Sequence, residues 1–327
     1  MLAPAAQATD QAPVVPRSHL SALAVAGLCR LMCPPAAPAA EVREIYEALA
    51  GACGVTFFVW VQHHGPVRAL ASTVNADLRG RHLDDLGAGR VLGGVAFSHL
   101  RRPGPPPMVA TAVPGGYRVD GEAPWVTSWG LAEVFLVAAR LDDAVAWFLL
   151  DTRRRDPAVR PSPSLPLAAM NASATVRLRL DGLHVPEADV LEVEPFVDWQ
   201  ERDRVTTAQP NPAALGIAAT CVRLLAGAAP TAVARLGDEL DECRRRSYGL
   251  ADEGRTDPDH VAAMVDARAW GLALAVRAAG ALVGGVGGRA LTLDHPAQRL
   301  LREAAFFSIQ AQTPALRRAF LAQLERS

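Results

Sequence analysis

Hydrophobic residues change their spacing twice along this chain of 327 residues. Residues 19–86 are mostly helical in pattern, with charged and apolar side chains at helical spacing over 41–49 and a more buried segment over 55–71. From about residue 91 the spacing changes to a period of two, and beyond Pro195 the helical period returns. This double switch predicts an α+β chain in which a β domain lies between two helical regions.

The middle region contains several short strand patterns. The segment 175–180 alternates three apolar residues on one face with Arg177 and Arg179 on the other. Asp120-Gly121 is a strong hairpin-turn signal, and connections this short predict a mostly antiparallel sheet. We predict strands over 109–113, 117–119, 122–127, 134–139, 144–150 and 175–180.

The region after Pro195 has the pattern of a helical bundle. Apolar residues recur at helical spacing in stripes, of which the first consists of Val233, Leu236, Leu240 and Cys243. Asp257-Pro258 is a helix cap followed by proline at the first helical position, and Thr313 is the predicted cap of the last helix. Several amphipathic helices of this kind pack together as a bundle.

These patterns divide the chain into four predicted segments. Residues 1–16, rich in alanine and proline, are expected to form a flexible leader. Residues 17–90 form a short N-terminal helical domain, residues 91–195 the middle β domain, and residues 196–327 the C-terminal bundle.

Composition excludes several classes of function. The net charge is −1 and the isoelectric point is near 6.7, so we expect no nucleic-acid partner and no membrane-surface partner. The most apolar stretch, 272–286, is interrupted by Arg277 and three glycines, so we expect no membrane span. Five cysteines without a C-x-x-C pair argue against a disulfide framework and against a metal site, and they favour a cytoplasmic protein.

Four stretches of the chain match motifs of one enzyme family. The most specific is 116–129, Gly-Tyr-Arg-Val-Asp-Gly-Glu-Ala-Pro-Trp-Val-Thr-Ser-Trp, which is similar to G-Y-x-L-N-G-x-K-x-W-I-T. The others are Gly94-Val-Ala-Phe-Ser-His99, His184-Val-Pro186 and the segment 295–316. With these motifs and this domain order, the chain resembles a truncated, divergent acyl-CoA dehydrogenase over residues 20–327.

The resemblance implies FAD as the cofactor. A flavin ring is flat and apolar on its faces and polar along one edge, so it needs an aromatic wall and short hydroxyl donors. Trp125 and Thr127 lie two residues apart on a predicted strand, so they share one side and supply both. Taken alone, Trp125 and Trp129 are equally explained as core aromatics. The residues expected to bind the cofactor are Phe97, Ser98, Trp125, Thr127 and Thr313.

The catalytic position of the family lacks its usual residue. In acyl-CoA dehydrogenases a glutamate removes the α-proton of an acyl thioester while the flavin takes a hydride from the β-carbon. The matching position here is Ala311, and the alternative position on the first bundle helix falls near Thr206. Glu201 and Asp203 are the remaining candidates for the base, although acids before a helix are also typical of solvated N-terminal turns.

Three functions therefore remain open. The first is an FAD-dependent oxidoreductase that acts on an acyl-CoA or carrier-bound acyl substrate with a non-standard or partner-supplied base. The second is a catalytically inactive paralogue or partner subunit that binds an acyl chain. The third is a flavin-dependent monooxygenase on the same fold, although that branch often keeps a histidine in the final helices and none follows His295.

The apolar segment 272–288 also bears on assembly, because it has little charge to present to water. We expect a homodimer or homotetramer with bundle helices at the interface, or a hetero-oligomer.

Overall fold

The computed structural model describes residues 1–325, which contain eleven α-helices and eight β-strands. The helices are α1 (Leu2–Gln11), α2 (Arg17–Val25), α3 (Ala39–Ala52), α4 (Gly54–Ser72), α5 (Ala76–Gly87), α6 (Phe196–Ala208), α7 (Pro212–Leu225), α8 (Pro230–Asp252), α9 (Pro258–Val286), α10 (Pro296–Ile309) and α11 (Pro314–Glu325). The strands are β1 (Gly93–Ala96), β2 (Met108–Val113), β3 (Gly116–Val126), β4 (Val134–Leu141), β5 (Ala144–Asp151), β6 (Val159–Pro161), β7 (Val176–Pro186) and β8 (Val190–Pro195). All eight strands lie inside the segment 91–195.

The first residues of the chain form a helix, so the predicted flexible leader over residues 1–16 is wrong. Leu2 and Ala6, one helical turn apart on α1, are buried in the main core. Asp10 pairs with Arg302 of α10, whose Nη1 lies 3.1 Å from Oδ1. Alanine-rich sequence has a high helix propensity, and packing against α10 supplies the stabilisation that a short isolated helix lacks.

The sheet is mainly antiparallel, as the sequence predicted. Its strand order is β6-β7-β3-β2-β4-β5-β8, and β1 pairs with β4. Five pairings are antiparallel, whereas β1 and β2 each run parallel to β4. The parallel pairings arise because the chain crosses from β1 to β2 and from β3 to β4 through irregular segments and not through hairpins.

The Asp120-Gly121 signal marks a bulge and not the predicted hairpin turn. β3 runs without interruption through both residues, and the turn that joins β2 to β3 falls at 114–115 instead. The register of β3 against β7 shifts between Val119 and Asp120. Gly121 has a φ of +133°, and a Cβ atom there would clash with the carbonyl oxygen of Pro107. The glycine is therefore needed for a close backbone approach.

Two predicted helix caps are present in the bundle. The Asp257 carboxylate accepts a hydrogen bond from the backbone N–H of His260 at 3.1 Å, at the start of α9. The Thr313 hydroxyl accepts one from the backbone N–H of Leu316 at 3.2 Å, at the start of α11. Both caps satisfy backbone donors that a helix leaves unpaired in its first turn.

Helix α9 is the central element of the bundle and contacts α6, α7, α8, α10 and α11. By length and composition the segment Pro258–Leu291 would be able to cross a membrane, but half of its most apolar window is buried inside this chain. Leu272, Leu274 and Leu282 are fully buried against the other helices. The apolar stretch that suggested an oligomer interface is thus largely covered by the chain's own bundle.

Helix α4 carries two adjacent histidines in the interior. The Nδ1 atom of His63 accepts a hydrogen bond from the backbone N–H of Gly93 at 3.0 Å, which ties α4 to β1. His64 lies in an aromatic cluster, 4.6 Å from Trp60 between ring centroids, and neither of its ring nitrogens has a partner among the described residues. Burial lowers the pKa of His63 to about 4 and that of His64 to about 3.

Candidate active site

A cavity of about 1100 Å³ lies where the β domain meets the bundle. Its walls come from the segment 99–107 after β1, from α6, from the first half of α9, and from the segment 312–322. Apolar side chains supply part of the surface: Leu100, Phe196, Trp199, Val261 and Val265. Five arginines and two aspartates also line the cavity, namely Arg101, Arg102, Arg140, Arg204, Arg318, Asp203 and Asp266. This excess of guanidinium groups favours an occupant that carries negative charge.

Asp203 is the one predicted base that faces this cavity. It lies on α6, with 12% of its side chain exposed. Arg101 donates to both of its carboxylate oxygens, with Nε 2.8 Å from Oδ2 and Nη2 2.6 Å from Oδ1. Bidentate pairing fixes the carboxylate in one orientation, so Asp203 is held in place at the cavity wall.

Glu201 lies outside the cavity, although it is only two residues from Asp203. Its side chain is exposed, and the Arg204 guanidinium donates to both of its oxygens. The hydrogen bond from Arg204 lowers the pKa of the Glu201 carboxyl. Because α6 turns by about 100° per residue, positions two apart point in different directions, and the structure separates these two candidates.

Ala311 lies at the turn between α10 and α11, one residue before the cavity wall begins. Its φ is +51°, in the left-handed region. Close by, the buried Arg268 guanidinium of α9 donates to the carbonyl oxygens of Thr207, Gln209 and Gln310, with the last at 3.4 Å. Burial lowers the pKa of Arg268 to about 10, so it remains charged at neutral pH. A buried positive charge therefore lies next to the position that lacks a carboxylate.

The predicted flavin-binding strand places its residues in contrasting environments. Trp125 is 51% exposed, which excludes a core role for this indole, whereas Trp129 stacks on Phe135 at 5.3 Å between ring centroids. Thr127 is only 5% exposed, because β3 ends at Val126 and the alternation of sides ends with it. The two residues therefore differ in burial, with Trp125 half-exposed and Thr127 buried.

The Thr127 hydroxyl belongs to a chain of three hydroxyl groups. Its Oγ1 lies 3.2 Å from Oγ1 of Thr175, which lies 2.7 Å from Oγ of Ser173. Three O–H groups that make two hydrogen bonds retain one donor for a further acceptor. The next residue, Ser128, has a buried Oγ atom without a partner among the described residues, and a φ of +70°.

Phe97 and Ser98 follow strand β1 and do not lie on it. The ring of Phe97 packs edge-on against Trp147 at 5.3 Å, and the Arg101 guanidinium lies 5.7 Å from its centroid. Ser98 is exposed at the start of a short 3-10 helix (Ser98–Arg101). Of the residues predicted for the site, Asp203 and Thr313 line the cavity, whereas Phe97, Ser98, Trp125, Thr127, Glu201 and Ala311 do not.

Two residues of the cavity were not expected from the sequence. Arg101 holds Asp203, and the neighbouring His99 lines the same wall. His99 is the last residue of the 94–99 motif and Arg101 lies two residues beyond it, so their place in the chain was a signal. Their roles depend on contacts with residues that are distant in sequence, and no local pattern gives such contacts.

Solved structures of similar shape are numerous, whereas no protein-family profile and no curated protein matches the sequence. Butyryl-CoA dehydrogenase from Megasphaera elsdenii superposes with a TM-score of 0.82 at 17% identity, over 99% of this chain and 94% of its own. A glutaryl-CoA dehydrogenase from Mycobacterium smegmatis in complex with FADH2 gives 0.83 at 16% identity, over 100% and 91%. A 3-HSA hydroxylase from Rhodococcus sp. RHA1 gives 0.76 at 19% identity, over 98% and 92%.

The chain has the acyl-CoA dehydrogenase fold. The prediction of this fold from four motifs and the domain order is confirmed by whole-length superposition. In this acyl-CoA dehydrogenase fold, the cavity lies between the β domain and the bundle, with Ala311 beside one wall and Asp203 on another. At these identities the similarity establishes the fold, and function has to be argued from the site itself.

Proposed function

We propose that this chain is an FAD-dependent oxidoreductase that acts on an acyl thioester or a related acyl substrate. The observation that carries the proposal is the cavity of about 1100 Å³ between the β domain and the bundle. Its volume suits an extended organic substrate, and its apolar side chains suit an acyl chain. The arginines at its walls suit the negative charge of a phosphate-bearing carrier such as CoA.

The residues at the end of β3 and just after it fit FAD. The half-exposed Trp125 offers an aromatic face to a flat ring. The partnerless Ser128 hydroxyl and the spare donor of the Thr127 chain would satisfy polar atoms along the flavin edge. When bound, FAD supplies the acceptor for a hydride. Neighbouring structures of this fold contain FAD or FADH2, which supports the same cofactor here.

Proton transfer is the step of this reaction that the residues of the site support least. Ala311 offers no carboxylate, so Asp203 is the residue that would take the α-proton of a bound thioester. Both oxygens of Asp203 already accept hydrogen bonds from Arg101, so this carboxylate is not free to turn toward a substrate proton. Unless a partner subunit supplies a base, the chain would therefore oxidise simple saturated acyl thioesters slowly, since general-base catalysis contributes about 10²–10⁴-fold.

A flavin-dependent monooxygenase is the second candidate. Two observations favour it: the missing carboxylate at Ala311 and the similarity in fold to a 3-HSA hydroxylase. Oxygen chemistry at a flavin needs no base for an α-proton. This candidate uses the same cavity and the same cofactor, so it differs from the first only in the reaction of the reduced protein.

Anaerobic addition of an acyl-CoA to the FAD-loaded protein, followed by admission of oxygen, separates the candidates. Slow loss of the blue flavin absorbance with acyl-CoA alone supports the dehydrogenase. In a second arm, the flavin is reduced by an external reductant and then reoxidised by air. Incorporation of oxygen into an added substrate during reoxidation supports the monooxygenase. Tight acyl-CoA binding with neither reaction would support a partner subunit that only binds, and would contradict catalysis by this chain.

A further inference from the structure

Three planar side chains are stacked on the wall of the cavity. The guanidinium carbon of Arg140, near the end of β4, lies 3.7 Å from the centroid of the Phe196 ring at the start of α6. Phe196 also stacks on Trp199, with 5.3 Å between ring centroids and 15° between the ring planes. All three side chains line the cavity. Trp199 is buried, so the accessible part of the stack consists of the partly exposed Arg140 and Phe196.

Two hydrogen bonds fix the plane of the Arg140 guanidinium. Nη2 donates to the carbonyl oxygen of Asp142 at 2.7 Å, and Nε donates to that of Ala144 at 3.3 Å. Because Phe196 covers one face of the guanidinium, a flat ring that enters the cavity can stack only on the opposite face. Such a ring would meet a surface that is already ordered, which lowers the entropy lost on binding.

The stack lies far from Trp125, where the flavin ring is proposed to bind. Val109 of β2 is in register with both Asp120 of β3 and Arg140 of β4. Trp125 lies five residues beyond Asp120 on β3, which is roughly 17 Å at about 3.4 Å per residue. A ring bound at Arg140 would therefore belong to a part of the substrate that is remote from the reacting carbon.

Two arginines of the same cavity have no carboxylate partner. Arg102, in the segment after β1, and Arg318, on α11, are exposed residues of the cavity lining. Neither side chain forms an ion pair within residues 1–325, whereas Arg101 is paired with Asp203. Unpaired guanidinium groups bind phosphate through their charge and their N–H donors. The cavity therefore suits a ligand that carries phosphate groups as well as a flat ring.

We propose that the Arg140 guanidinium stacks on the adenine ring of coenzyme A, and that Arg102 and Arg318 bind the phosphate groups beside that ring. The inference rests on the proposed function and deepens it, because it assigns the acyl group to CoA and not to a carrier protein. A carrier protein presents a phosphopantetheine arm, which has a phosphate but no flat base. Nucleobases stack on guanidinium planes in the same way in RNA complexes.

The first test compares an acyl-CoA with the acyl-phosphopantetheine of the same acyl group, by calorimetry on the protein incubated with FAD. The acyl-CoA should bind about 10- to 100-fold more tightly, which is the effect of one stacked base. Equal binding of the two ligands overturns the adenine subsite and leaves the proposed function intact. Binding of neither ligand overturns both.

Two variants separate stacking from charge. Arg140→Lys keeps the positive charge but loses the flat surface, so the preference for acyl-CoA should fall by about tenfold. Arg179→Lys is the matched control, because the Arg179 side chain is 64% exposed and does not line the cavity. Its preference should equal that of the unmodified protein. A full preference in Arg140→Lys would overturn the proposal.

The adenine ring of FAD is a second ring that could occupy this stack. If CoA is the occupant, Arg140→Lys and Arg179→Lys should retain FAD equally after gel filtration. Loss of FAD in Arg140→Lys alone would assign the stack to the cofactor and would overturn the proposal.

A competition measurement on the unmodified protein keeps the proposal testable if Arg140→Lys misfolds. Adenosine 3′,5′-bisphosphate, the nucleotide end of CoA, should displace acyl-CoA at about tenfold lower concentration than inorganic pyrophosphate, because only the nucleotide has a base to stack. Displacement at equal concentrations would mean that charge alone is recognised, and would contradict the proposal.

Discussion

The Arg101 guanidinium holds both carboxylate oxygens of Asp203, across 102 positions of sequence, on the wall of the cavity. The pair joins the segment after β1 to helix α6, and so connects the β domain to the bundle. It also leaves an oriented carboxylate on the cavity wall. Because Ala311 contributes none, proton transfer in the proposed function would fall to Asp203.

Replacement of Asp203 by asparagine tests its role directly. In FAD-loaded Asp203→Asn, the rate of flavin reduction by an acyl thioester should fall, but by less than the factor of about 10²–10⁴ that an efficient general base contributes. Glu201→Gln is the matched control, because the Glu201 side chain is exposed and does not line the cavity. Its rate should equal that of the unmodified protein. An unchanged rate in Asp203→Asn, with the same thermal stability, would exclude Asp203 as the base.

Introduction of a carboxylate at position 311 should supply the base that this position has in acyl-CoA dehydrogenases. In Ala311→Glu, anaerobic flavin reduction by acyl-CoA should rise by about 10²-fold or more. The nearby Arg268 guanidinium, which donates to the adjacent Gln310 carbonyl, would keep the new carboxylate ionised. Ala311→Gln has nearly the same shape without the charge, and should show no gain. Equal rates in both variants would mean that this position does not face the reacting carbon.

The buried histidines predict a loss of stability in acid. The pKa values of His63, His64 and His99 are lowered to about 4, 3 and 4, below the ordinary value of 6.5, chiefly because the rings are buried. The folded state therefore binds fewer protons than the unfolded chain. The stabilisation is complete above about pH 6.5 and is lost progressively as the pH falls toward about 4.

Urea denaturation between about pH 7.5 and 4.5 measures this loss. His64 has no hydrogen-bond partner among residues 1–325, so His64→Phe should preserve stability at neutral pH. It should reduce the acid slope of the unfolding free energy by up to about 1.4 kcal/mol per pH unit, the contribution of one proton. His184→Gln, at an exposed histidine, should leave the slope unchanged. If His64→Phe has the slope of the unmodified protein, a different group is responsible.

Two glycines with positive φ should respond differently to alanine. Gly115→Ala introduces strain at φ +79° without a steric contact, and should cost about 1–2 kcal/mol of unfolding free energy. Gly121→Ala adds a clash with the backbone of Pro107 and should cost clearly more. Equal costs would show that the bulge in β3 relaxes to accommodate a side chain.

The fold followed from local sequence because each region has one dominant hydrophobic period. The caps at Asp257 and Thr313 were predictable for the same reason, since a cap depends on residues within one turn. The helical character of residues 2–11 was missed, because the stabilisation of α1 comes from α10, almost 300 positions away. Gly121 was misinterpreted because turns and bulges use the same residue types.

The site was predictable only in part. Motif matching named Trp125, Thr127 and Thr313, and proximity to the expected base position near Thr206 named Asp203. The structure places Asp203 and Thr313 on the cavity wall, and Trp125 and Thr127 outside it. Sequence adjacency grouped Glu201 with Asp203, whereas of these two only Asp203 lines the cavity. Contacts between distant segments decide these differences, and a single sequence contains no direct signal of them.

The absorption spectrum of the purified protein, before and after incubation with FAD, tests the central claim most directly. We expect the purified protein to show a flavin band in the near ultraviolet and blue that remains after gel filtration. The band should be lost in Trp125→Ala and retained in Leu291→Ala, which truncates a more exposed apolar residue. Absence of the band from the unmodified protein after incubation, or equal flavin retention in both variants, would contradict the assignment of this chain as a flavoprotein that binds its cofactor at Trp125.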